Sequence, residues 1–136
     1  MVFVFGSNLA GIHGGGAAAY AYKSLDAEWG VGEGPTGNSY ALPTKEADVY
    51  TSRSLVDVAG SVETFMEYAV ANPDLEFQVT RIGCGLAGFA DEDIAPMFKH
   101  APSNCLFDSA WQPWLSNARF FGGHSDGKSY QSFNAD

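Results

Sequence analysis

The chain opens Met1-Val2-Phe3-Val4-Phe5-Gly6-Ser7-Asn8-Leu9-Ala10-Gly11-Ile12-His13-Gly14-Gly15-Gly16-Ala17-Ala18, and this stretch decides the fold. Residues 2–5 are a short run of valine and phenylalanine, suited to a strand buried on both faces. Residues 6–16 form a glycine-rich loop. Residues 17–29 read as a helix, with Tyr20, Leu25 and Trp29 as candidate core contacts. A strand feeding a loop and then a helix is the opening half of a βαβ unit.

Working outward, the same grammar recurs. Residues 30–38, Gly-Val-Gly-Glu-Gly-Pro-Thr-Gly-Asn, are a turn-rich loop. A second strand is predicted over 39–43, stopped by Pro43. The clearest helix is 54–71, where Leu55, Val58, Val62, Phe65, Met66, Ala69 and Val70 recur at three- and four-residue spacing. Ser54 followed by Asp57 is close to a capping box, and Asn72-Pro73 ends the helix. Residues 77–82 read as a third strand and 83–88 as a second glycine loop. Residues 91–99 read as a short helix whose first-turn acids, Asp91, Glu92 and Asp93, suit the macrodipole. A last strand is predicted at 104–107, before a short Trp-rich helix. The pattern fades near Arg119, so residues 119–136 read as a polar, glycine-rich tail behind a domain of 1–118. The expected architecture is one three-layer α/β domain, a mostly parallel sheet with helices on both faces. Ligands of such sheets bind at the carboxyl ends of strands. Both glycine loops and the Pro43-Thr44-Lys45 turn follow strands, so they should converge on one sheet edge.

Composition narrows the partners. The chain has 136 residues, one ordinary domain, and a net charge of -9. Its seven Lys and Arg residues are scattered singly, which argues against a broad grip on DNA or RNA. A small anion held by backbone amides remains compatible with that charge. No apolar run approaches the roughly 20 residues of a membrane span, and no basic leader precedes the first strand. The expectation is a cytoplasmic protein with no membrane partner. Cys84 and Cys105 form no CxxC, and no His pair stands at ligand spacing, so no metal site is expected. A nucleophilic Cys84 would need His13 or His100 brought to it by folding.

The first loop places three consecutive glycines at a helix start, where backbone N–H groups can approach a ligand. It could equally be a permissive turn that allows close helix–sheet packing. It is neither a dinucleotide fingerprint nor a Walker loop, because both spacings are absent. His13 fits a loop-stabilising hydrogen bond as well as a ligand contact. The second loop, Arg81-Ile82-Gly83-Cys84-Gly85-Leu86-Ala87-Gly88-Phe89, has the form of an anion nest. Phe89 could cover a ribose or base, or simply join the core. Lys45 at a strand end could be a solvated charge. In a confined pocket it could pair with phosphate, or attack a sugar carbon as a nucleophile. Asp91 could supply acid or base chemistry, or only helix N-terminal charge.

Tyr40-Ala-Leu-Pro-Thr44-Lys45 followed by Arg81-Ile-Gly-Cys-Gly-Leu86 resembles the macro-domain branch that contains the terminal ADP-ribose protein glycohydrolase and the DarG DNA-ADP-ribose antitoxins. Gly6-Ser7-Asn8 with Gly14-Gly15-Gly16-Ala17 is similar to that family's first loop. The resemblance covers roughly residues 2–108 and looks closest to small bacterial or phage-encoded macro-like proteins. It implies that Asn8 contacts the distal ribose, flanked by Gly14, Gly15 and Gly16; Ser7, Gly11 and His13 of the same loop are further candidate ligand contacts. It implies that Thr44 stands at the ligand. It implies that Gly83, Cys84, Gly85, Leu86, Ala87 and Gly88 wrap the diphosphate, with Phe89 near the distal ribose. Lys45 would attack C1″ of the ribose, with Asp91 a stand-in acid and no cofactor required. Ala87 occupies the place of the aspartate that follows Cys-Gly-Leu in the human-type glycohydrolase. The upstream strand and aspartate that read adenine in macro domains have no counterpart before Met1. Three readings follow: an ADP-ribosyl hydrolase acting on protein or nucleic acid, a non-catalytic module that binds ADP-ribose or a signalling nucleotide, and an interaction protein that only keeps the fold.

Overall fold

The computed structural model describes residues 1–122. Alternation along β1 (Val2–Asn8) divides the interior in two. Phe3 and Phe5, with Ala41, pack on Ala17, Ala18 and Ala21 of α1 (Gly16–Ser24). Val4, with Tyr40 and Leu42, belongs to the larger cluster built on Val58, Val62, Phe65 and Ala69 of α2 (Leu55–Ala71). Helices therefore cover both faces of the sheet. Each fully buried Phe or Leu contributes roughly 1.5–3 kcal/mol, so the larger cluster holds most of the stability.

The remaining strands are β2 (Gly34–Thr36), β3 (Ser39–Lys45), β4 (Phe77–Val79), β5 (Cys105–Asp108) and β6 (Arg119–Phe121). Their order is β2-β3-β1-β4-β5-β6. β2 runs antiparallel to β3 and every other pairing is parallel. No helix among the described residues is long and apolar enough to cross a membrane.

Several elements differ from their predicted bounds, each for a local reason. β1 continues past Phe5 to Asn8, with a register shift against β3 between Ser7 and Asn8. Such a bulge re-aims the side chains that follow it. α1 ends at Ser24 rather than Trp29, because Asp26 takes φ 62 and turns the chain back. Trp29 is consequently 54% exposed. The 30–38 loop contains β2. β3 passes through Pro43 to Lys45, since the Pro43 carbonyl faces Arg53 Nη1 at 2.8 Å rather than β1. The missing N–H therefore falls where no ladder bond is required.

β4 stops at Val79 because the Thr80 hydroxyl donates to the Val4 carbonyl at 2.7 Å and the chain then turns. The predicted 91–99 helix is α3 (Asp91–Ile94) followed by a 3-10 turn over Ala95–Phe98, where Pro96 cannot donate. α2 matches its prediction closely: Ser54 Oγ accepts from Asp57 N–H at 3.1 Å. Its carboxyl end is plugged by Asn104, whose Nδ2 donates to the Ala69, Asn72 and Leu75 carbonyls. The Trp-rich segment forms a 3-10 turn, Ser109–Trp111, capped by Asp108. Arg119–Phe121, expected in the tail, instead adds β6 in parallel to β5, so the sheet extends past residue 118. The rest of the predicted tail, 123–136, lies outside the described residues.

Candidate functional site

The carboxyl ends of β1 and β3 and the loop after β4 meet around a cleft of about 210 Å³. Gly14, Gly15 and Gly16 form one wall, and Gly83, Gly85, Leu86 and Ala87 form the facing one. Thr44 and Lys45 of β3 and Asn8 of β1 lie between them. The convergence expected from strand ends is thus present, and it brings these ten predicted residues together. Leu86 nearly bridges the walls: a Cβ placed on Gly15 would meet its Cδ1 at 3.6 Å.

The other predicted residues stand behind the wall. The Ser7 hydroxyl donates to the Gly32 carbonyl. Gly11 takes φ +71 against the backbone of Gly30. His13 is 1% exposed, and its Nε2 donates to the Glu28 carbonyl at 3.0 Å. Its ring stands edge-on to Phe5 and Trp29. Burial holds its pKa below the ordinary value, against the pull of carbonyls at Glu28 and Val31. His13 is a prop beneath the first loop, not part of the cleft. Cys84 also lies outside the wall, and burial pushes its thiol up to about 12, with the Asp91 charge adding to it. That shift opposes the thiolate a nucleophile needs. Gly88 takes φ +78 to close the second loop, its N–H donating to Gly85. Phe89 packs on the larger core cluster and presses on Gly83, where an added Cβ would lie 2.9 Å from its ring.

Asp91 is fully committed elsewhere. Arg81 Nε donates to its Oδ1 at 3.0 Å and Arg81 Nη2 to Oδ2 at 2.6 Å. Trp111 Nε1 donates to Oδ1 at 2.7 Å. Burial alone pushes this carboxyl up, but the hydrogen bonds and the guanidinium charge outweigh it and hold the pKa low. Asp91 therefore orients Arg81, and Arg81 lines the cleft.

Sequence reasoning passed over Gly6, Ile12, Ala17, Ala18, Val49 and Arg81, all in the wall. Arg81 was legible, as the only cation at the end of the third predicted strand. Val49 was not, because its turn is set by Asp48, whose carboxylate accepts from Tyr50 and Thr51. The same turn is fastened to the second loop by Ser52, whose hydroxyl donates to the Ala87 carbonyl at 2.6 Å. Asn8 is also more constrained than its sequence suggests. Nδ2 donates to the Ile12 carbonyl at 2.8 Å, and Oδ1 accepts from Ile12 N–H at 3.0 Å. The side chain fixes the first loop.

Val49 takes φ 64, a backbone conformation that strains a β-branched residue. Val49→Gly is expected to raise stability by about 0.5–1 kcal/mol, read as a higher urea midpoint with an unchanged slope. A lower midpoint would show that its side-chain packing outweighs the strain.

Among the described residues the wall carries two basic side chains, Lys45 and Arg81, and no Asp or Glu, in a chain of net charge -9. The Arg81 charge is met by Asp91 behind the wall at 2.6 Å, so Lys45 is the charge that the cleft presents to a small anion. Among the described residues no group of His, Cys, Asp and Glu could hold a metal ion. Comparison with protein-family models, with curated proteins and with solved structures finds no match to this chain.

Proposed function

We propose that the cleft binds a phosphate-bearing sugar nucleotide, ADP-ribose being the favoured ligand, and that Lys45 hydrolyses ADP-ribosyl linkages on protein or nucleic acid. One observation carries the reading: two facing glycine loops with Lys45 and Arg81 enclose a cleft at the strand carboxyl ends, with no carboxylate among the described residues of its wall. Backbone N–H groups at a helix start and in a glycine nest are anion ligands. Lys45 supplies the charge, and Arg81, its own charge met by Asp91, lines the same wall. The volume of about 210 Å³ is below the roughly 300–1,000 Å³ of pockets that enclose a whole drug-sized ligand. It suits the ribose and diphosphate, with the base outside the wall.

In the reaction the Lys45 nitrogen forms a bond to C1″ as the bond from that carbon to the carrier breaks. The proton shed by that nitrogen goes to the leaving oxygen or nitrogen, and water then adds at C1″, breaks the carbon–nitrogen bond and gives a proton back to the amine as ADP-ribose is released. The resemblance of Thr44-Lys45 and residues 81–86 to the macro-domain branch supports this role. A second reading, capture without turnover, is favoured by the commitment of Asp91 to Arg81 and Trp111. It leaves no wall carboxylate to act as acid or base.

Calorimetry with ADP-ribose tests the shared claim, and its failure to bind removes both readings. Release of ADP-ribose from a modified carboxylate and from modified DNA separates them. The hydrolase reading expects turnover that Lys45→Ala reduces by at least about a hundredfold. Binding without turnover establishes the capture reading, and turnover indifferent to Lys45→Ala removes the lysine mechanism.

A further inference from the structure

A second cavity, about 370 Å³, lies at the opposite edge of the sheet. Residues preceding β5 and β6 frame it, so it opens at the amino ends of those strands, whereas the cleft opens at carboxyl ends. Its floor is the outer side of the core, where Phe98, Cys105, Phe107 and Leu115 are almost wholly covered. Trp114, 39% exposed, stands in its wall. Arg119 closes one side, with Nη1 donating to the Ser103 carbonyl at 3.0 Å and Nη2 paired with Glu76 at 2.9 Å.

The charge around it departs from the rest of the chain. The sequence holds 16 Asp and Glu against 7 Lys and Arg. This lining holds Lys99, Arg119 and His100, and no carboxylate. The Arg119 charge is met by Glu76. Lys99 and His100 are exposed at the rim, and neither side chain makes a hydrogen bond or ion pair among the described residues. A half-exposed Trp114 beside the unpaired Lys99 matches one ligand shape, a flat hydrophobic body with a single anionic group. The volume falls in the range of small-molecule pockets, and Trp and Phe side chains favour ring stacking.

We propose that this cavity is a second binding site, for a small aromatic monoester phosphate or aromatic carboxylate. The ring lies against Trp114, and the anion meets Lys99 and His100. The site is independent of the glycine-loop cleft.

The test titrates the full chain with 1-naphthyl phosphate and follows backbone amide shifts. Shifts should concentrate at residues 98–105 and 114–119, with quenching of tryptophan fluorescence. The neutral 1-naphthol and inorganic phosphate should each bind at least about tenfold more weakly, the loss expected when one charge-assisted contact or the apolar contact is missing. Lys99→Ala with His100→Ala should weaken 1-naphthyl phosphate by a similar factor, and both residues are exposed, so the fold should tolerate the change. Shifts confined to residues 14–16 and 83–87, equal binding of 1-naphthol or of inorganic phosphate, or indifference to the double substitution would each overturn the proposal.

Discussion

Gly32→Ala is expected to lower stability by about 3 kcal/mol and to abolish ligand binding in the cleft. Gly32 is buried behind the end of β1, and its carbonyl accepts from Ser7. A Cβ there would lie 2.3 Å from the Asn8 carbonyl oxygen and 2.8 Å from that of Leu9. Both obstacles are backbone, so no flexible side chain can move aside. Relief requires either the loop carrying Gly32 to retreat, breaking the Ser7 contact, or the Asn8–Leu9 backbone to shift. The second route displaces Lys45, because Leu9 N–H donates to the Lys45 carbonyl at 3.0 Å. Thermal unfolding should fall by roughly 10 °C, and calorimetry with ADP-ribose should lose its signal. Gly14→Ala is the control. No atom lies within 4 Å of a Cβ there, so stability should stay within about 0.5 kcal/mol while the wall changes. Equal destabilisation by the two substitutions would refute the argument from close approach.

Asp91→Ala should cost about 2–3 kcal/mol. It strands the Trp111 indole N–H, on a residue that is 0% exposed, and removes the carboxylate that orients Arg81. The pH dependence follows from the lowered pKa of Asp91. A depressed folded-state value means that the unfolded chain binds its proton first. The stabilisation is therefore complete above the ordinary carboxylate pKa near 3.8 and is lost as pH falls through the lower folded value. Urea midpoints measured below about pH 4 should fall more steeply for the native sequence than for Asp91→Asn. Identical slopes would show that the clamp contributes nothing. The same variant addresses catalysis, since a general acid would lose turnover at pH 7 without regard to stability, whereas a clamp loses both together.

The fold was legible wherever periodicity and burial agreed. α2 could be read almost to the residue, because its apolar stripe, its Ser54 cap and Asn72-Pro73 all point the same way. β2 could not, since Gly34-Pro35-Thr36 has no alternation and is defined by what it pairs with. α1 was read too long because the turn at Asp26 rests on contacts distant in sequence, including Asn38 N–H to the Leu25 carbonyl. β6 was hidden for the same reason as β2. At the cleft, strand-end logic correctly grouped both glycine loops with Lys45. It could not separate residues in the wall from residues behind it. His13 and Phe89 follow the right strands, yet one props the first loop and the other underpins Gly83. That distinction is one of side-chain direction, which spacing within a loop does not encode. The gathering of cations was equally invisible in the sequence: four of the seven Lys and Arg, Lys45, Arg81, Lys99 and Arg119, line one or the other cavity, although they are scattered along the chain.

Among the described residues the sheet ends on both sides in strands of three residues, β2 and β6. β2 carries Pro35, exposed and unable to donate, and β6 begins with Arg119 held by Glu76. An arriving chain finds too short a ladder to extend at either margin, and a proline or a charge already stands there. The acidic surface adds mutual repulsion. The central strands β1 and β3, seven residues each, are the ones whose composition would template aggregation; β4 covers Val2–Val4 of β1, β2 covers Ser39–Ala41 of β3, and Arg53 N–H takes up the Thr44 carbonyl further along. The molecule thus keeps its most adhesive backbone enclosed and turns blunt borders outward, a disposition that favours colloidal stability at high concentration.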